Sequence, residues 1–209
     1  MKKTKKILAL ASSAVLLVTA SVMGTMAYLQ ATTATVTNTF TVGNVSFEEG
    51  IGSGLDEAKV NEYGERVNAD DMVDETADIR VAANTYKLIP GHKYVKDPTI
   101  HMADETEDCW LFVKVVNPIE SIEATGSATI ASQMATEGWT LVEGETDVYM
   151  KTTPVSAGAD VVVFHNFTLA DDAEVSAHAD EQITIQAYAV QADGFASAQD
   201  AWDETYGKN

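Results

Sequence analysis

Four histidines, one cysteine and two dense acidic runs are the side chains in this sequence with the means to do chemistry. His92, His101, His165 and His178 are too dispersed to form His-Glu-x-x-His, the pattern that puts two zinc ligands and a base on one helical face. His101 opens His101-Met102-Ala103-Asp104-Glu105 with no second histidine nearby. Cys109 begins the apolar run Cys109-Trp110-Leu111-Phe112-Val113, and a single cysteine excludes an intramolecular disulfide. Its expected fate is burial, which protects a thiol from reaction. No Gly-x-Ser-x-Gly elbow and no glycine-rich phosphate loop occur.

The acidic runs are Asp70-Asp71-Met72-Val73-Asp74-Glu75 and Asp104-Glu105-Thr106-Glu107-Asp108. Calcium favours several hard oxygens, so Asp70, Asp71, Asp74 and Glu75 are the weak calcium candidates, although their spacing is not that of an EF-hand. No other cofactor is expected. Trp110, Trp139 and Trp202 are read as core residues rather than as a platform for sugar rings.

These residues need elements to hold them, and the export signal must first be set aside. Lys2, Lys3, Lys5 and Lys6 precede a stretch from Ile7 to Ala27 without a charged side chain, ending in Gly24-Thr25-Met26-Ala27. This is the layout of a signal peptide over residues 1–27, with cleavage expected between Ala27 and Tyr28. The competing reading is a retained anchor, so any membrane contact is expected only through the uncleaved signal. Removing the signal's four lysines and no acid takes the formal charge from −19 to −23. Such a balance argues against nucleic acid as a partner and favours cations, basic partners or plain solubility.

Roughly 180 residues then remain, enough for one core. The region 28–48 contains a strictly alternating stretch, with Val36, Asn38, Phe40 and Val42 opposite Thr35, Thr37, Thr39 and Thr41, which is a strand with one buried face. Residues 49–80 are rich in glycine and acid. They read as a flexible, exposed excursion with one short helix near Leu55 to Tyr63. From 81 to 195 short strands resume. A turn is expected at Pro90-Gly91, and the strand Val95 to Met102 is expected at a sheet edge because of Pro98.

Cys109 to Val116 is apolar on both faces and therefore central. Trp139 to Val142 and Val148 to Lys151 form a hairpin, and Val161 to Leu169 and Ile183 to Val190 complete the set. Residues 196–209 read as a C-terminal tail or a short helix, the helix having Ala198, Ala201 and Trp202 on one side. The fold class is all-β, an antiparallel β-sandwich with a long acidic insertion and a short C-terminal helix.

Thr25-Met26-Ala27-Tyr28-Leu29 followed by Asn38-Thr39-Phe40-Thr41-Val42-Gly43 resembles the start of proteins exported through the SipW-type signal peptidase, the TasA and camelysin family. The likeness extends to Leu88-Ile89-Pro90-Gly91, to Lys96-Asp97-Pro98-Thr99-Ile100, and to the run from Ile183 to Gln191. The resemblance implies a jelly-roll sandwich secreted to the surface of a Gram-positive bacterium and built into matrix fibres by strand donation. Its partners would be further copies of itself or another fibre subunit. The camelysin branch supplies the alternative, a surface metalloendopeptidase, and an adhesin-type binding sandwich is a third reading.

The segment that would be donated is Tyr28, Leu29, Gln30, Ala31, Thr32, Thr33, Ala34, Thr35 and Val36. It has no charged side chain, no proline and no glycine, and its residues favour extended backbone. The competing reading is an ordinary first strand of the same domain.

Overall fold

The computed structural model describes residues 30–32 and 45–207. The export signal, the cleavage site Ala27–Tyr28 and the alternating stretch 35–42 lie outside the described residues. Most regular structure is strand, in antiparallel sheets, with two short helices. The chain runs through β1 (Gln30–Thr32), β2 (Leu55–Ala58), β3 (Arg80–Val81), β4 (Lys93–Val95), β5 (Thr99–His101) and β6 (Cys109–Val116). Helix α1 (Ile130–Thr136) follows. Next come β7 (Trp139–Leu141), β8 (Val148–Lys151), β9 (Asp160–Val162), β10 (Asn166–Thr168), β11 (Thr184–Gln191) and helix α2 (Ala198–Thr205).

Five strands form the largest sheet in the order β1-β11-β6-β8-β7, four form a second in the order β3-β2-β5-β9, and β10 pairs with β4. The largest sheet is built around β6, which pairs with β11 along all eight residues, from Thr184↔Val116 to Gln191↔Cys109. Its side chains alternate between two apolar environments, as the double-sided sequence pattern predicts. Cys109, Leu111, Val113 and Val115 join Tyr94, Ile100 and Phe167, which come from the other two sheets, and Ile130 and Met134 of α1. Trp110 and Phe112 join Val148, Val190 and the α2 residues Ala198, Ala201 and Trp202. Full burial of each valine, leucine, isoleucine, phenylalanine or methionine among them contributes about 1.5–3 kcal/mol.

Both helices are set by their caps. Thr129 accepts a hydrogen bond from Ser132 N at the start of α1, and Gly138, at φ +80°, takes the left-handed backbone just beyond its end. Ser197 accepts from Asp200 N at the start of α2, whose buried residues are the three the sequence placed on one side. The hairpin of β7 and β8 forms as expected, with Trp139 opposite Lys151 and Leu141 opposite Tyr149.

Three expectations are corrected. The helix near Leu55 to Tyr63 is instead strand β2 followed by a turn, because β2 pairs on both sides, with β3 through Glu57↔Val81 and with β5 through Leu55↔Ile100. The acidic region is not wholly an exposed excursion: Asp56, Glu57, Ala58, Val60 and Val67 are buried, while Asp70, Asp71, Met72 and Val73 are exposed. A turn within it seats against β4 because Gly64, at φ +73°, lies where any Cβ would come within 2.6 Å of Tyr94 Cα. The strand expected at an edge is two strands, and its second half, β5, is flanked by β2 and β9. Pro98 sits in the break between them and constrains neither ladder.

Candidate functional site

Of the segment expected to be donated, Gln30, Ala31 and Thr32 are described, and they form β1. Tyr28, Leu29, Thr33, Ala34, Thr35 and Val36 lie outside the described residues. β1 is the outer strand of the five-stranded sheet and pairs antiparallel with β11 through Gln30↔Val190, Ala31↔Ala189 and Thr32↔Tyr188. These pairs use three positions of a strand eight residues long. The receiving strand is paired with β6 along its whole length and packed against α2. Ala187, Ala189 and Val190 are fully buried, and Tyr188 packs edge-on against Trp202 of α2, with ring centroids 5.8 Å apart.

On the second sheet, both arginines of the chain converge on one carboxylate, that of Asp97. Arg66 Nη2 donates to Asp97 Oδ2 at 2.6 Å, and Arg80 Nη1 donates to the same oxygen at 3.1 Å. Asp97 Oδ1 accepts from Ala58 N at 2.6 Å, which ties the carboxylate into β2. Arg80 also reaches Asp56 Oδ1 through Nε at 2.8 Å, and through Nη2 the carbonyls of Asp56 and Asp97 and the hydroxyl of Thr99. His101 completes the knot, with Nε2 3.0 Å from Asp56 Oδ1 and Nδ1 2.6 Å from Asp160 Oδ1. Burial works to lower the His101 pKa, but the hydrogen bonds to Asp56 and Asp160 outweigh it and raise the group above its ordinary value.

Beside the knot lies a second buried group. Lys96 Nζ donates to Glu57 Oε2, and Asn84 Nδ2 donates to Glu57 Oε1 at 2.8 Å. Glu57 is 3% exposed and Lys96 8%. Asn84 is locked by two further bonds, donating from Nδ2 to Ala58 O at 2.9 Å and accepting at Oδ1 from Val60 N at 3.0 Å. The Lys96 ammonium lies 5.7 Å from the Tyr86 ring centroid. Glu57, Asn84, Tyr86 and Lys96 all face a cleft of about 530 Å³ whose other walls include Leu55 and Ile183.

The remaining sequence candidates are dispersed. Asp71 pairs with Lys59 at 2.6 Å, and Asp74 turns back to accept from the amide and hydroxyl of Thr76, bonds that hold its carboxyl below the ordinary value. Asp70 and Glu75 are exposed. Among the described residues no group of three or more histidine, cysteine or acidic side chains is arranged to hold a metal ion. His92 bonds Tyr63 O, His165 bonds Glu137 and His178 bonds Glu181, so each histidine has its own partners. Cys109 is fully buried, and burial pushes its thiol up to about 12. The three tryptophans are all buried core residues. Among the described residues no helix is long and apolar enough to cross a membrane.

No protein-family model, no curated protein and no solved structure matches this chain.

The knot residues went unremarked as a site in the sequence. The available signal was scarcity: with only two arginines against 32 acids, each arginine is a candidate for a buried ion pair, although its partner is not marked in the sequence.

Proposed function

We propose that the mature chain is a secreted structural protein, a major or accessory subunit of an extracellular fibre or surface layer that assembles by β-strand donation. In this reading the antiparallel sheets form a jelly-roll-like sandwich, and the segment from Tyr28 to Val36 leaves its own β11 to pair with β11 of a neighbour.

One observation carries the reading: the described part of the segment singled out by its composition, Gln30–Thr32, is an edge strand on a long partner that β6 supports along its whole length. A neighbour's copy of the segment would make the same main-chain hydrogen bonds in the same register, so exchange conserves the ladder. Self-pairing is favoured by proximity, at an effective concentration of order mM for a short tether. Head-to-tail donation becomes competitive where subunits are crowded, and contacts of that kind do not close, so they extend into filaments. A charge of −23 per subunit opposes crowding, and acid or divalent cations relieve it.

The test is imaging of the mature protein with a free Tyr28 terminus, with and without residues 28–36. Filaments that need those residues, and light scattering that rises on acidification or with calcium, are expected. Filaments that persist after the deletion would overturn strand donation, and a protein that stays monomeric under acid, calcium and crowding would overturn the fibre subunit.

A further inference from the structure

The geometry points to an intramolecular isopeptide bond between the side chains of Lys96 and Asn84, formed with Glu57 as the proton carrier. This inference is independent of fibre assembly. It rests on the three side chains that meet beneath the cleft.

A nucleophile, an electrophile and a general base are already assembled there. The two oxygens of the Glu57 carboxylate hold the Lys96 nitrogen on one side and the Asn84 Nδ2 on the other. The same carboxylate therefore touches both the atom that must lose protons and the atom that must gain them. The Asn84 carbonyl oxygen accepts from Val60 N at 3.0 Å, a backbone donor placed where negative charge develops when its carbon is attacked. Glu57 and Lys96 are almost fully withdrawn from solvent, so the bond-forming step does not compete with hydration of the amine. Holding both reactants on one carboxylate replaces a bimolecular encounter by a short side-chain movement.

The step balances without a cofactor. Lys96 passes a proton to Glu57, and its freed lone pair attacks Cγ of Asn84. Glu57 takes up the next proton from the attacking nitrogen as it delivers the first to Nδ2. The Cγ–Nδ2 bond breaks, and the nitrogen leaves through the cleft as ammonium, with Glu57 back in its carboxylate form. The product is a secondary amide that closes the loop from residue 84 to residue 96. That loop carries Tyr86, Leu88 and Tyr94, which pack in the main core. In a chain with a single cysteine, such a bond supplies the covalent brace that a disulfide cannot.

The experiment is intact-mass measurement on the secreted, folded protein, followed by tryptic mapping. The wild-type chain is expected to weigh about 17 Da less than its sequence, one ammonia, and to yield a branched peptide joining 81–87 to 94–114. Lys96→Arg and Glu57→Gln are each expected to restore the full mass. A folded wild-type protein of full mass would overturn the proposal, whatever the variants do. So would a 17 Da deficit that survives Lys96→Arg, because a succinimide at an asparagine needs no lysine.

Discussion

The β6–β11 ladder and the β2–β5 ladder are both antiparallel, yet they are anchored by opposite chemistry. The first has eight paired positions, with side chains buried in apolar clusters on both faces. The second has two paired positions, and Asp56, Glu57, Lys96, Asp97 and Thr99 are buried around it. Area removed from water holds the first, a non-directional effect that tolerates small shifts. Fixed directions hold the second, because a buried charge is stable only while its partners stay in place. An acid-rich segment with little apolar surface can therefore fold, provided its few cations are spent on its interior carboxylates.

Breaking each region once draws the contrast. Leu111→Ala in β6 is expected to cost about 4 kcal/mol in urea unfolding, with little dependence on pH or salt. Arg80→Met leaves Asp56 with His101 alone and Asp97 with Arg66 as their side-chain partners, and is expected to cost about 3 kcal/mol under the same conditions. If Arg80→Met is instead neutral, the knot is a decoration rather than the anchor of β2 and β3.

Two titrations sharpen the comparison. Glu123 is 6% exposed, between Asn117 and the first amide of α1, and burial pushes its carboxyl up to about 7 despite hydrogen bonds from Ile130 N and Asn117. Because the folded-state pKa is raised, its stabilising contribution is complete below about 4.5 and is lost as pH rises through 7. Glu123→Gln is therefore expected to be more stable than wild type by about 2 kcal/mol at pH 8 and equal to it at pH 4. Melting curves at the two values test this.

His101 has the same sign, since its pKa is also raised. Its contribution is present below the ordinary value of 6.5 and fades as pH climbs through the folded-state value. His101→Gln should cost on the order of 1 kcal/mol at pH 5.5 and less at pH 9, a small effect because Asp160 is solvent-screened. Equal losses at both values would remove the ionic role of His101.

The apolar half of the molecule was legible in the sequence for a physical reason. Period-two alternation and double-sided runs report burial directly, so β6, β11, the β7–β8 hairpin and the buried side of α2 could be read from residue types alone. The charged half was not, because the same acids occur in solvated loops, and nothing local distinguishes Asp56 from Asp70. What separates them is Arg80, 24 residues away, and a register that brings β5 beside β2. Pro98 misled for a related reason: it punctuates the chain between two strands, where its missing donor is not needed. The edge strand was partly legible, since composition picked out the segment that contains β1 but could not say which strand receives it.

Donation is tested most directly by a cross-link in trans at the observed register. Gln30→Cys and Val190→Cys occupy opposed positions of β1 and β11, within disulfide reach across an antiparallel pair. The two singly substituted proteins, mixed at high concentration under oxidising conditions, should yield a disulfide-linked heterodimer, and more of it when residues 28–36 are deleted from the Val190→Cys chain so that its β11 has no strand of its own. A doubly substituted chain that cross-links only within itself, with no heterodimer from the mixture, would contradict the account.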